Sequence, residues 1–363
     1  MQVSRSLQLV AAVACLSLLA ACGGDDADVD TASGSGGRLS IKMGTPSDTL
    51  SSSFYAFVAA DKLGYWEDEN LDVELVPGSG SGALVEQMVA GNLVAGAPSL
   101  PAVVEGLGAG LELIDVYTYS YGSIFGIWVP EDSAVKSVGD LKGKNIGIAQ
   151  AGGGENAVLH SALEDVGINP VTEVNLIPIG EGEATTLDAI KRGRVDAYAS
   201  SKNDGHSLTV SGLKLREITP PLYEGLPGRS IITTPKGLKK NREQLVRMAR
   251  GIAKGTLFCD NNVEACKKFM KEAVPEQWVG TNDAEQSQGS LQFEEAVKTT
   301  SVPEGEQFGR HKADQMKTFK DTVASIAKDF EDFDVNDFLV ADILAEVNDF
   351  NRDEIIAEAK AYK

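Results

Sequence analysis

Bases are in short supply: 33 Lys and Arg stand against 53 Asp and Glu, a formal net charge of −20 over 363 residues. That balance excludes nucleic acid as a natural partner, because phosphates are held by Lys and Arg. Histidine is scarcer still. His160, His206 and His311 are the whole supply, and they show no metal-ligand spacing such as H-x-x-x-H. Neither a G-x-S-x-G elbow nor a P-loop is present. The residues therefore point to no catalytic group, no metal and no cofactor. Past residue 22, no apolar run approaches the roughly 20 residues that cross a bilayer.

What is present begins with an apolar stretch from Leu7 to Ala21 behind Arg5. Its length suits a secretory signal rather than a span. It ends in Leu19-Ala20-Ala21-Cys22, which resembles a bacterial lipobox, so residues 1–21 are expected to be cleaved and Cys22 lipidated. An ordinary signal peptide containing a cysteine is the alternative. Residues 22–38, rich in Gly, Asp and Ser, hold too few apolar groups to offset ordering entropy and are expected to form a flexible tether. These features predict an exported protein anchored at the cell membrane.

Two further cysteines, Cys259 and Cys266, are seven apart. Along an unbroken helix that is about 10 Å, beyond disulfide reach. Asp260-Asn261-Asn262 between them reads as a helix stop followed by a new N-cap. Such a turn in an oxidising compartment brings the sulfurs together; two independent thiols are the other reading.

From Leu39 strands alternate with helices, the signature of α/β layering with mostly parallel sheets. Strands are expected at "LSIKMGT", "LDVELVP", Asn92–Pro98, "LELIDVYTYS", "KNIGIAQ", "VNLIPI" and "RVDAYAS". Helices are expected after Ser53, at Ala83–Ala90, Glu155–Val166, Thr185–Lys191, Arg242–Phe258, Val263–Ala273 and in the Asp337–Tyr362 region. One unit is written twice: Val73–Ser99 and Val174–Ser200 each run from strand through a Gly-rich loop and helix to a second strand. Chance likeness of two generic βαβ units is the bland explanation; two similar lobes is the other. Two long apolar runs, Ile124–Pro130 and Gly228–Pro235, are where the chain is expected to cross between lobes. The expected fold is α/β, two similar lobes with mixed, mostly parallel sheets and a two-strand hinge. One lobe takes 39–126 and 232–363, the other 127–231.

Several stretches resemble type II periplasmic substrate-binding proteins of ABC transporters, in the branch handling nitrate, sulfonates, taurine and thiamine-precursor pyrimidines. They are Tyr55–Leu75, Val135–Ile148 with Asp140-Leu141-Lys142-Gly143-Lys144, Gly193–Ser200 and Glu346–Tyr362. Asn70 stands where that family usually has glycine, and Val94 stands opposite Asp196 of the second unit. The resemblance implies a lipid-anchored, monomeric solute-binding protein that captures a small organic molecule and docks on a permease with its ATPase. A ligand-binding sensor or co-receptor is the first alternative, and a thiamine-pyrimidine-synthase-like enzyme the second.

Ligands in such sheets bind beyond the carboxyl ends of the strands, where helix N-termini present free N–H groups. The candidates in the first lobe are Ser47, Phe54, Tyr55, Ser79, Gly80, Ser81, Pro98 and Ser99. In the second lobe they are Gly152, Gly153, Gly154, Glu155, Asn156, Glu181, Ser200, Ser201 and Asn203. The Gly-rich loops are either ligand cradles or plain connections. Tyr119 and Tyr121 share a strand face with Tyr117, which lines the cleft or is a half-buried sheet face. Of Phe54 and Tyr55, one is expected in the core and one over the ligand. Asp48, Glu155, Glu181, Glu183 and Asp204 surround these loops with Lys202 as the only base, a balance that leans towards an amine-bearing ligand. His160 is expected within a helix and His206 in a loop, neither of them catalytic.

Overall fold

The computed structural model describes residues 37–224, 228–278, 288–300, 302–303, 305–310, 338–339 and 341–363. The expected signal segment, Cys22, most of the expected tether and His311 lie outside these residues.

The strands are β1 (Leu39–Gly44), β2 (Leu71–Val76), β3 (Ala95–Gly96), β4 (Ile114–Ser120), β5 (Phe125–Pro130), β6 (Asn145–Ile148), β7 (Asn175–Pro178), β8 (Ala197–Ser201), β9 (Leu215–Glu217) and β10 (Arg229–Thr233). The longer helices are α1 (Tyr55–Lys62), α2 (Ser81–Val89), α3 (Leu100–Gly108), α4 (Glu155–Asp165), α5 (Ala184–Lys191), α6 (Lys202–Val210), α7 (Pro235–Asn261), α8 (Val263–Ala273), α9 (Gln288–Thr300) and α10 (Arg352–Ala361).

They build two five-stranded sheets, in the orders β2-β1-β3-β10-β4 and β7-β6-β8-β5-β9. Position by position the sheets correspond. β1 pairs in parallel with β2 and β3, and β6 does so with β7 and β8. The fourth strand of each sheet, β10 or β5, is antiparallel. The repeated unit is thus β2–α2–β3 in one lobe and β7–α5–β8 in the other, and the fold is the mixed two-lobed α/β arrangement expected. Each antiparallel strand arrives from the opposite lobe. The chain leaves β4 through residues 121–124 to enter β5, and leaves β9 through residues 218–228 to enter β10. The two apolar runs are therefore sheet members, and the crossings lie just before them.

The first lobe has the larger core, with Phe57, Trp66, Ile252, Phe258 and Val347 in one cluster. α7 supplies much of it. Thr234 Oγ1 accepts from Gly237 N at 3.0 Å and Pro235 opens the helix, a start with a satisfied donor and a preset φ. After Asn261 the side chain of Asn262 accepts from Ala265 N at 3.1 Å and caps α8. That turn joins Cys259 to Cys266, with Cα atoms 5.6 Å apart. Asn70 is, among the described residues, the one non-glycine with positive φ, 52°. It ends a helical turn where an amide tolerates the left-handed conformation that otherwise calls for glycine.

Some elements differ from expectation. Among those not anticipated are α3, β9 and the helix at Lys202–Val210. Polar residues and Gly205 disguise α6, but Ser201 and Asp204 form a reciprocal capping box that starts it, so His206 lies on a helix and not in a loop. β3 shrinks to Ala95–Gly96, although Val94 N and Ala97 N still donate to the carbonyls of Lys42 and Gly44.

Candidate functional site

Parallel strands end on one side of their sheet, so the loops after β1 and β2 and those after β6, β7 and β8 converge between the lobes. They enclose a cavity of about 390 Å³. In the first lobe the loops are tied to each other: Gly78 N donates to Ser47 O at 3.2 Å and Gly80 N to Pro46 O at 2.7 Å. A Cβ on Gly78 would lie 2.2 Å from Thr45 O, so only glycine permits this approach. Pro46, Ser47, Asp48, Thr49, Ser51, Gly80 and Ser81 face the cavity from here.

The second lobe contributes a hydrogen-bonded acidic wall. Glu155 Oε1 accepts from Ala149 N at 3.0 Å and Gln150 N at 3.3 Å. Gln150 Nε2 reaches Glu181 Oε1 at 3.0 Å. Asp204 accepts from the hydroxyls of Ser200 and Ser201 and from Ser201 N. Burial pushes the Glu155 carboxyl up to about 7, although the backbone donors favour its charged form. Burial does the same to Asp204, also to about 7, against the pull of its serine hydroxyls. Glu181 is raised as well, first by burial and then by Asp48 and Glu183.

Ser47, Gly80, Ser81, Gly153, Gly154, Glu155, Glu181, Ser200, Ser201 and Asn203 of the predicted set line the cavity together. Ser79 is exposed and outside the lining. Pro98 and Ser99 sit behind it, with Ser99 N donating to Ser81 Oγ at 3.1 Å. Gly152 lies at the lobe contact, its carbonyl accepting from Gly82 N at 3.4 Å. Asn156 ties down its own loop, donating to the carbonyls of Gln150 and Ala151. The aromatic candidates fall in the core. Phe54 and Phe57 pack on Tyr119 with ring centroids 6.0 and 5.0 Å away, and Tyr55 meets Phe293 at 5.5 Å. Tyr121 is buried and donates to Thr118 O. Alternation places tyrosines on one face but does not say which, and this face packs on α1 and α9.

Lys202 is not the only base in the region. Arg229, first residue of β10 and 7% exposed, lines the cavity. Its Nη1 donates to Ser53 Oγ at 2.6 Å and its guanidinium lies 5.9 Å from the Phe54 ring centre, while Nε has no partner. Gln292 of α9 also faces the cavity. Its Nε2 donates to Asn203 O across the lobes at 3.2 Å, and its Oε1 has no partner. A charged residue opening an apolar run was the available signal for Arg229. Gln292 had none, since nothing in its own segment relates it to the cleft.

Residues 51–265 match the family model described as NMT1/THI5 like. The chain belongs to this family. A protein from Bordetella bronchiseptica RB50 of 18% identity superimposes with a TM-score of 0.70 over 85% of this NMT1/THI5-like chain and 96% of its own. The alkanesulfonate-binding protein SsuA from Xanthomonas axonopodis pv. citri, bound to MOPS, does so at 17% identity and a TM-score of 0.58, over 78% and 90%. In sequence, a Haemophilus influenzae protein whose name links it to thiamine biosynthesis is 29% identical over 143 residues. Those residues are 39% of this chain and 44% of that relative.

Proposed function

We propose that this chain is the extracytoplasmic solute-binding component of an ABC importer. It captures a small organic molecule, sulfonate- or taurine-like or nitrogen-containing, and delivers it to a permease and ATPase. In this reading 39–126 and 232–363 form one lobe, 127–231 the other, and Cys22 carries the lipid anchor. The observation that carries it is the cavity of about 390 Å³, walled by loops of both lobes at the strand carboxyl ends. Its size suits a small ligand, and its lining of hydroxyls, amides, carboxylates and one guanidinium suits holding a polar one. The hinge gives the permease two states to distinguish, since a ligand shifts the population only through tighter binding to one of them.

A thermal-shift screen against alkylsulfonates, taurine, nitrate, amines and pyrimidines tests the reading. A ligand of the native state raises the melting temperature as RT ln(1 + [L]/Kd). One class should do so, and Gly154→Leu should abolish the rise, because a Cβ at Gly154 meets Ser99 Oγ at 2.0 Å and holds the lobes apart. No rise with any class contradicts solute capture.

A further inference from the structure

The lining residues Glu155, Glu181, Glu183, Asp204, Asp48 and Glu276 are all acidic, and Arg229 is the one base among the described residues there. Asp48, Glu183 and Glu276 are exposed, whereas Glu155 is 4% exposed and Glu181 is half-buried. Among the described residues, no lysine or arginine forms an ion pair with Glu155, Glu181 or Asp204. Their partners are backbone N–H groups, hydroxyls and an amide. Arg229 offsets part of the charge on Glu181, but one guanidinium cannot balance this many carboxylates, and those left over in a shielded space are costly unless protonated or met by a cation.

A second observation points the same way. Gln292 is 3% exposed, and its unpartnered Oε1 is an acceptor that calls for a donor. Arg229 Nε, also on the first lobe, is an unpartnered donor that calls for an acceptor. The helix ends differ between the lobes. α4 starts at Glu155, Glu183 is the N-cap residue of α5, and Asp204 lies in the first turn of α6, so acids already answer these positive helix ends. α2 starts at Ser81 with no acid in its first turn.

We propose that the cavity recognises its ligand through a protonated nitrogen, held by Glu155, Glu181 and Asp204 of the second lobe, while the ligand's electron-rich end faces Arg229 and the start of α2. This rests on the solute-binding reading above and narrows it: the nitrogen is required, and an anion lacking one is not retained.

Calorimetric titration of the protein with matched pairs tests it: taurine against ethanesulfonate, γ-aminobutyrate against butyrate, with putrescine, nitrate and a neutral pyrimidine alongside. At least one amine should bind, and its counterpart without nitrogen should bind roughly tenfold weaker or worse. Glu181→Gln, whose side chain has a single hydrogen bond, should lose about tenfold in affinity for that amine with an unchanged circular dichroism spectrum. Equal binding of the deaminated partner, or unchanged affinity in Glu181→Gln, overturns the proposal. If ethanesulfonate, nitrate or the pyrimidine binds and no amine does at millimolar concentration, solute capture stands and the nitrogen requirement falls. If nothing binds, both fall.

Discussion

In the first lobe Glu69 holds Arg250 Nη1 at 2.6 Å and Lys254 Nζ at 3.1 Å, and a disulfide ties α7 to α8. The second lobe has the same strand order, yet its carboxylates Glu155, buried, and Asp204, half-buried, face the cavity rather than a cation. One architecture has been put to two uses. The charge on Glu69 in the first lobe is satisfied internally and serves stability. The charges on Glu155 and Asp204 in the second are left poised at the cleft, where they work against the empty protein and in favour of a suitable ligand. A buried ionic group helps when its partners are present and costs when they are not.

The largest break in this comparison should come from the disulfide. Replacing Cys259 and Cys266 by Ala removes a short covalent loop, and by the chain-entropy estimate costs about 2–3 kcal/mol. Hydrogen exchange should quicken in peptides from α7 and α8 and stay unchanged in β6, β7 and β8. Equal loss in both lobes would mean that they unfold as one unit and that the stabilising role is not confined to the first.

A smaller effect should come from pH acting on the second lobe. Glu155 has a folded pKa of about 7, against about 4.3 in an unfolded chain. A raised pKa contributes stability that is full below the unfolded value and lost as pH climbs through the folded one. In melts at a series of pH values between those two pKa values, Glu155→Gln should therefore gain on the unliganded wild type as pH rises. The gain should reach a few degrees by about pH 7. A constant difference across that range would remove the carboxylate from the empty protein's pH response.

The sheets were legible because short β-rich runs bounded by turn formers recur in a fixed order. The duplicated unit even marked which strands correspond. Much of the cavity followed from the general rule that parallel strands end at ligands, which placed Ser47, Gly80, Gly154, Glu155 and Ser201. Three features were not legible, for physical reasons. Tyr119 and Tyr121 share a face, but only packing decides whether that face meets helices or the cleft. Arg229 hides in an apolar run because its charge is masked by Ser53 and the Phe54 ring. Gln292 comes from a helix far along the chain, and only the tertiary fold brings α9 against α6. The glycines at 153 and 154 were expected to admit a ligand. Both line the cavity; Gly154 also admits the other lobe at Ser99, and Gly153 leaves room for the Glu155 carboxylate, which a Cβ there would meet at 2.1 Å.

In this structure the lobes touch through Gly82 and Gly152 and through Gln292 and Asn203. Solution X-ray scattering with and without a saturating ligand from the screen therefore bears most directly on capture between two lobes. The unliganded protein should be more extended than this arrangement and should contract onto it as ligand is added. A profile that does not change at saturation would contradict closure around a ligand, and with it the central reading of the fold.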